Sequence, residues 1–301
     1  MKKMKALLVG ALSLTLATGL VGCSALGGDD ENSITVVGKN FTEQDLMANI
    51  VGKLLAGNTD LDVNIKSYLG GTDVAFNALK TGSADVYVEY TGTGLVNIMG
   101  EKVITDPDKA FQRVKEAFPE KYNIQWMEPI GFNNTYALAV SEETAKKYGL
   151  QKVSDLVKVQ DKLVLGTEQE FIDRDDGYKG LSETYGLKFK DVKAMDPGLK
   201  YQALDSDQVD VIDAFTTDGR LVNYNLVLLE DDKQFFPPYY AVPLVREDTL
   251  KAHPEIGDVL KKLAGKIDEE EMVKLNAQVD VDKKKAEDVA EAWLKEEGLI
   301  K

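Results

Sequence analysis

The chain has 301 residues, 51 Asp and Glu against 36 Lys and Arg, a net charge of −15, and a single cysteine. So acidic a surface repels nucleic acid and anionic lipid headgroups, which excludes nucleic acid as a partner. One cysteine excludes an internal disulfide, so an apolar core must hold the body together.

Lys2, Lys3 and Lys5 precede an apolar run from Ala6 to Leu20. The run is too short and too rich in small residues for a membrane span, and it has the form of a secretory leader. It ends at Leu20-Val21-Gly22-Cys23, which resembles the lipobox of bacterial lipoproteins. The resemblance implies removal of residues 1–22, diacylation of Cys23, and a place on the extracellular face of the bacterial cell membrane. The other reading is an ordinary leader with an incidental cysteine. Residues 23–33 are polar and glycine-bearing, and read as a flexible tether.

Ile34 to Gly38 reads as a strand. Thr42 reads as the cap of a helix over 43–55, in which Leu46, Ile50, Val51, Leu54 and Leu55 share one side. Alternation of Leu61, Val63 and Ile65 with polar residues predicts a strand over 61–68. A short helix over 74–81 and a strand over 84–90 follow. Strands alternating with helices predict an α/β fold with a largely parallel sheet. Ligands of such sheets bind in the loops at the carboxyl ends of the strands.

The stretch 76–96 then echoes at 201–221 with a constant offset of 125. Ala78-Leu79 matches Ala203-Leu204, Asp85-Val86 matches Asp210-Val211, Thr91 matches Thr216, and Gly94 matches Gly219. This predicts two similar lobes. Two further look-alike strands, 133–140 and 237–245, flank the second copy. The expected organisation is a discontinuous first lobe of 34–133 with 237–301, a second lobe of 134–236, and a ligand cleft between them. Near the C-terminus Ala286, Val289, Ala290, Trp293 and Leu294 form the inward stripe of a surface helix.

Catalysis finds little footing. His253 is the one histidine, placed before a proline in a polar stretch, so Ser-His and Cys-His schemes lack a base. No His/Cys cluster has zinc spacing. Residues 173–177 (DRDDG) lack the order of a calcium loop and read as an acidic turn. Neither GxGxxG nor a Walker sequence occurs, so no cofactor is expected. What stands out is tyrosine at strand ends and loops: Tyr90, Tyr136, Tyr201, Tyr239 and Tyr240. Aromatic faces attract cations that cannot donate hydrogen bonds, and aromatic cages hold quaternary ammonium groups.

The segments KNFTEQ (39–44), LGGTD (69–73), EYTGT (89–93), EFIDRDDG (170–177), MDPGLKYQAL (195–204), DVIDAFTTDGRL (210–221) and FFPPYYAVPL (235–244) together resemble the substrate-binding proteins of bacterial glycine betaine/carnitine/choline ABC transporters. They fall in order along nearly all of the chain beyond the leader. The resemblance implies a type II periplasmic-binding-protein fold with two lobes joined by crossing strands. It also implies no enzymatic activity, and a monomer that delivers its ligand to a permease driven by an ATPase. Carried over by position, the family's tyrosine cage falls on Tyr90, Tyr136, Tyr201 and one of Tyr239 or Tyr240. Gln44 falls in the cleft wall as a polar contact, and Asp73 faces the non-ammonium end of the ligand.

An ionised Asp73 beside a ligand carboxylate costs about 4 kcal/mol at ~4 Å and an effective dielectric near 20. A hydroxyl would instead donate to it. This puts choline first, ahead of glycine betaine, carnitine and ergothioneine. Two other readings of Asp73 and of the fold stand beside this one. Asp73 caps the following helix, and the same fold serves as a sensor module or as a carboxylate-dependent hydrolase.

Overall fold

The computed structural model describes residues 32–301, so Cys23, the leader and most of the tether lie outside the described residues. Among the described residues, ten strands form two five-stranded sheets. The first contains β1 (Ser33–Lys39), β2 (Asp62–Gly70), β3 (Val86–Tyr90), β4 (Ile124–Trp126) and, from far along the chain, β10 (Ala241–Arg246), in the order β2-β1-β3-β10-β4. The second contains β5 (Tyr136–Ser141), β6 (Val164–Thr167), β7 (Asp191–Ala194), β8 (Val211–Phe215) and β9 (Leu226–Leu229), in the order β7-β6-β8-β5-β9.

The two sheets have one plan. In each, three strands run parallel and a fourth runs antiparallel beside them: β10 against β3, and β5 against β8. The echo at offset 125 has a structural meaning here. Asp85 accepts the backbone N–H of Thr35 at 2.8 Å, and its counterpart Asp210 accepts that of Val164 at 2.8 Å. In both lobes an aspartate just before the third strand ties down the start of the neighbouring parallel strand.

The helix α1 (Thr42–Asn58) is buried on nearly all sides between the first sheet and the C-terminal helices Glu269–Asp280 and Ala286–Glu296. Trp293 and Leu294 of the latter are buried against it, as their spacing predicts. The cap of α1 differs from expectation. Its N-cap is Phe41, which makes no side-chain capping bond, and the Thr42 hydroxyl donates instead to Asp280 at 2.7 Å. The helix α2 spans Thr72–Thr81, begins after Gly71, and ends on Gly82 in the left-handed conformation.

The chain passes between the sheets twice, and the two passages pair with each other. Asn133 and Tyr240 form a lone antiparallel bridge. Asn134 N–H donates to Tyr239 O at 3.0 Å, and Tyr239 N–H donates to Asn133 Oδ1 at 2.7 Å. Among the described residues no helix is long and apolar enough to cross a membrane.

Candidate functional site

The strand ends of both sheets face each other, and two adjoining cavities lie between them. The first, about 410 Å³ with its mouth, is lined among others by Tyr90, Tyr136, Tyr239, Phe215, Lys39 and Arg174. The second, about 330 Å³ with its mouth, has walls that include Glu43, Lys200, Asn276 and Asp280. Phe41, Asn134, Glu168 and Phe215 are walls of both.

The aromatic wall follows from the sheet registers. Tyr136 pairs with Phe215 across β5 and β8, and their rings sit 4.7 Å apart. Tyr239 meets Tyr136 edge-on at 5.4 Å. Tyr90, at the end of β3, faces Phe41, which stacks on Phe215 of the opposite lobe at 5.6 Å and 13°. Tyr90 and Phe215 are related by the offset of 125, so the repeat itself supplies facing aromatic walls.

Each of three rings carries a cation of the protein. Lys39 Nζ lies 5.2 Å from the Tyr90 centroid, Arg174 5.7 Å from that of Tyr136, and Lys200 Nζ 5.1 Å from that of Phe215. All three cations are paired. Lys39 donates to Glu89 at 2.6 Å and to the Thr72 hydroxyl at 3.0 Å. Arg174 grips Asp176 with two bonds of 2.7 and 2.6 Å, Glu170 at 3.0 Å, and Thr93 of the other lobe at 3.1 Å. Lys200 bridges Glu168 at 2.6 Å and Asp213 at 2.8 Å.

The carboxyls respond to this crowding. Burial, with Asp213 nearby, pushes Glu168 up to about 7 despite the pull of Lys200. Burial also raises Glu170, but Lys39 and Arg174 outweigh it and leave that carboxyl below its ordinary value. Glu43 is raised by burial even though four side chains donate to it: Tyr90, Asn134, Thr217 and Asn276.

Residues 32–296 match the model of a family described as the substrate-binding domain of ABC-type glycine betaine transport systems. The chain belongs to this family. It is 42% identical to the carnitine transport binding protein OpuCC of Listeria monocytogenes, over 98% of this chain and 97% of that protein. It is 37% identical to a glycine-betaine-binding protein of Pseudomonas aeruginosa, over 95% and 94% of the two chains. A crystal structure of a glycine betaine/carnitine/choline ABC transporter protein superposes with a TM-score of 0.72 at 37% identity, over 88% of this chain and 99% of that one. The protein is therefore a substrate-binding protein of an ABC importer, with the two-lobed periplasmic-binding-protein fold. Such proteins work outside the cytoplasm, and the family is one of transport receptors rather than enzymes.

Within this family frame the expected site residues are spread over five settings. Tyr90, Tyr136 and Tyr239 line the aromatic cavity. Of the pair at 239 and 240, Tyr239 is the one on the cavity; its hydroxyl donates to Asp176 at 2.8 Å. Tyr240 is half-buried at the crossover bridge. Gln44 is fully buried behind Tyr90, donating to the Tyr90 hydroxyl and to Val88 O, both at 3.0 Å. Tyr201 is turned into the core of the second lobe, stacked on Tyr224 with its hydroxyl donating to Asp218. Asp73 is exposed in the first turn of α2, where it makes no capping bond, and Thr72 takes the cavity wall instead.

The structure adds residues that the sequence reading passed over. Arg174 and Asp176 come from the stretch read as an acidic turn. Lys39, Glu43, Phe41 and Phe215 complete the walls. The visible signal for Arg174 was a basic residue among four acids within EFIDRDDG.

Proposed function

We propose that this chain captures a quaternary ammonium compound, choline first, in the aromatic cavity and hands it to an ABC permease. Tyr90, Tyr136, Tyr239 and Phe215 form the cage for the ammonium, and Gln44 holds Tyr90 in place. The lobes close over the ligand as the two crossing segments flex. Cys23 carries the lipid that keeps the protein at the cell membrane.

One observation carries the choice of ligand. Around the aromatic cavity the carboxylates of Glu43, Glu89, Glu168, Glu170, Asp176 and Asp213 face only the cations Lys39, Arg174 and Lys200. Even with Glu168 protonated, acids outnumber cations. A ligand of net positive charge completes this balance, whereas a zwitterion brings one more carboxylate. The hydroxyl of choline also meets acceptors in Glu168 and Glu170. Asp73, whose side chain is exposed, takes no part in this balance.

A second reading is favoured by Arg174. Its guanidinium lies on the cavity wall, and a betaine or carnitine carboxylate directed at it gains a bidentate partner if Asp176 or Glu170 yields. The 42% relative that transports carnitine adds weight to it. Calorimetry of the purified protein with choline, glycine betaine, carnitine and ergothioneine decides. Choline is expected to bind at least about tenfold more tightly than the zwitterions, a difference of about 1.4 kcal/mol. A zwitterion binding more tightly than choline overturns the ligand choice, and silence from all four overturns the ligand class. For the anchor, Cys23→Ala is expected to leave the membrane fraction; retention there rules the anchor out.

A further inference from the structure

The second cavity is an acceptor-rich chamber that the aromatic cage does not use. Glu43 stands at its floor. Its Oε1 accepts the amide of Asn134 at 2.6 Å, and its Oε2 accepts that of Asn276 at 3.1 Å. The Asn276 amide also donates to Thr217 O at 2.8 Å. These bonds fix which way both amides point, because a flipped amide sets oxygen against carboxylate. Both Oδ1 atoms are therefore left as acceptors. Asn134 and Asn276 are 3% and 2% exposed, and neither Oδ1 has a hydrogen-bond partner among the described residues. A buried acceptor without a donor costs about 1–3 kcal/mol.

The rest of the wall offers more acceptors than donors. Glu168, Asp218 and Asp280 supply carboxylate oxygens, while Lys200 and Arg220 are already tied to Glu168, Asp213, Asp218 and Asp280. The Thr42 hydroxyl is spent on Asp280 and the Thr217 hydroxyl on Glu43. The chamber shares Phe41, Asn134, Glu168 and Phe215 with the aromatic cavity, so the two lie side by side along these residues.

We infer that this chamber binds the hydrogen-donating end of the ligand, and that Asn134 and Asn276 select hydroxyl or N–H ends over methyl or carboxylate ends. The inference rests on the proposed capture of a quaternary ammonium group by the aromatic cavity. It extends the ligand class beyond choline, to trimethylammonium compounds with a longer arm ending in a donor.

Four probes of equal reach test it by calorimetry: trimethylammonium carrying 3-hydroxypropyl, 3-aminopropyl, n-butyl or 2-carboxyethyl arms, with tetramethylammonium as the reference. The hydroxyl and amino ends are expected to bind at least about tenfold more tightly than the butyl and carboxyl ends. In Asn276→Ala the ratio of hydroxypropyl to butyl affinity is expected to fall below about threefold. A structural role alone weakens all four probes together and leaves that ratio where it was, which overturns the inference. It is equally overturned if the butyl end binds as well as the hydroxypropyl end in the wild-type protein while tetramethylammonium still binds. If tetramethylammonium and all four probes fail to bind, the aromatic-cage reading falls first, and this inference with it.

Discussion

At the scale of single residues, three site positions were displaced by one. The sequence reading pointed to Gln44, Asp73 and Tyr201, whereas Glu43, Thr72 and Lys200 reach the cavity walls. All three pairs lie in the first turns of helices that start at the cleft. Successive helical residues point about 100° apart, so an error of one residue sends a side chain into the core or out to solvent. A motif fixes which turn lines the cavity, not which of its residues does. The strand residues lie differently: Tyr90 closes β3 and Tyr136 opens β5, and both strand termini line the cavity.

Among these residues Glu168 gives a pH prediction. Burial holds its carboxyl at about 7, with Lys200 as its partner and Asp213 and Glu170 as like charges. A raised carboxyl pKa means the protonated form is the one favoured by folding. The ligand-free protein therefore loses some stability as pH rises from the ordinary carboxyl value through about 7. A bound cation has the opposite preference and draws Glu168 into its ionised form. Choline affinity is thus expected to rise between pH 6 and pH 8, by up to about tenfold, with a proton released on binding. Titrations in buffers of different ionisation enthalpy read that proton directly. Glu168→Gln is expected to flatten the profile, and a flat wild-type profile would remove Glu168 from the account.

At the scale of elements, the sheet plan was legible and its closure was not. Alternation and apolar runs mark strands and helices wherever one face is buried, and the offset of 125 marked the second lobe. The look-alike strands carried the expectation that the chain returns to the first lobe at 237, but nothing in those patterns says that it does so beside β3, because that pairing joins residues some 150 positions apart in sequence. The paired aspartates were visible as a repeat but silent as to purpose. Their role is a charge-assisted bond to a backbone N–H near the start of the neighbouring parallel strand, one residue before its ladder with the aspartate's own strand begins. Asp210→Ala leaves Val164 N–H without that acceptor. We expect a loss of about 1–2 kcal/mol, or a fall in melting temperature of about 2–4 °C, in thermal unfolding. A change below about 0.5 °C would show that solvent replaces the aspartate.

At the scale of the whole molecule, the lobes are closed on each other through bonds that no single lobe can make. Thr72 N–H donates to Glu170 at 3.2 Å, Arg174 to Thr93 at 3.1 Å, Thr217 to Glu43 at 2.6 Å, and Arg220 pairs with Asp280. One close backbone approach between the lobes is at Gly219, in the turn after β8. A Cβ placed there would lie 2.2 Å from the backbone nitrogen of Ala277 and 2.5 Å from the carbonyl carbon of Asn276, both in the helix Glu269–Asp280 of the first lobe. Backbone cannot yield as a flexible side chain does, so one added methyl group wedges the lobes apart. Gly219→Ala therefore leaves each lobe folded and shifts the population away from the closed form. Apparent affinity falls in proportion to the closed fraction. A wedge costing about 3 kcal/mol weakens choline binding by about a hundredfold. Small-angle scattering is expected to show the wild-type protein contracting with ligand and Gly219→Ala failing to contract. If the variant contracts and binds normally, the turn at Gly219 moves aside on closure and the lobes must be gated elsewhere.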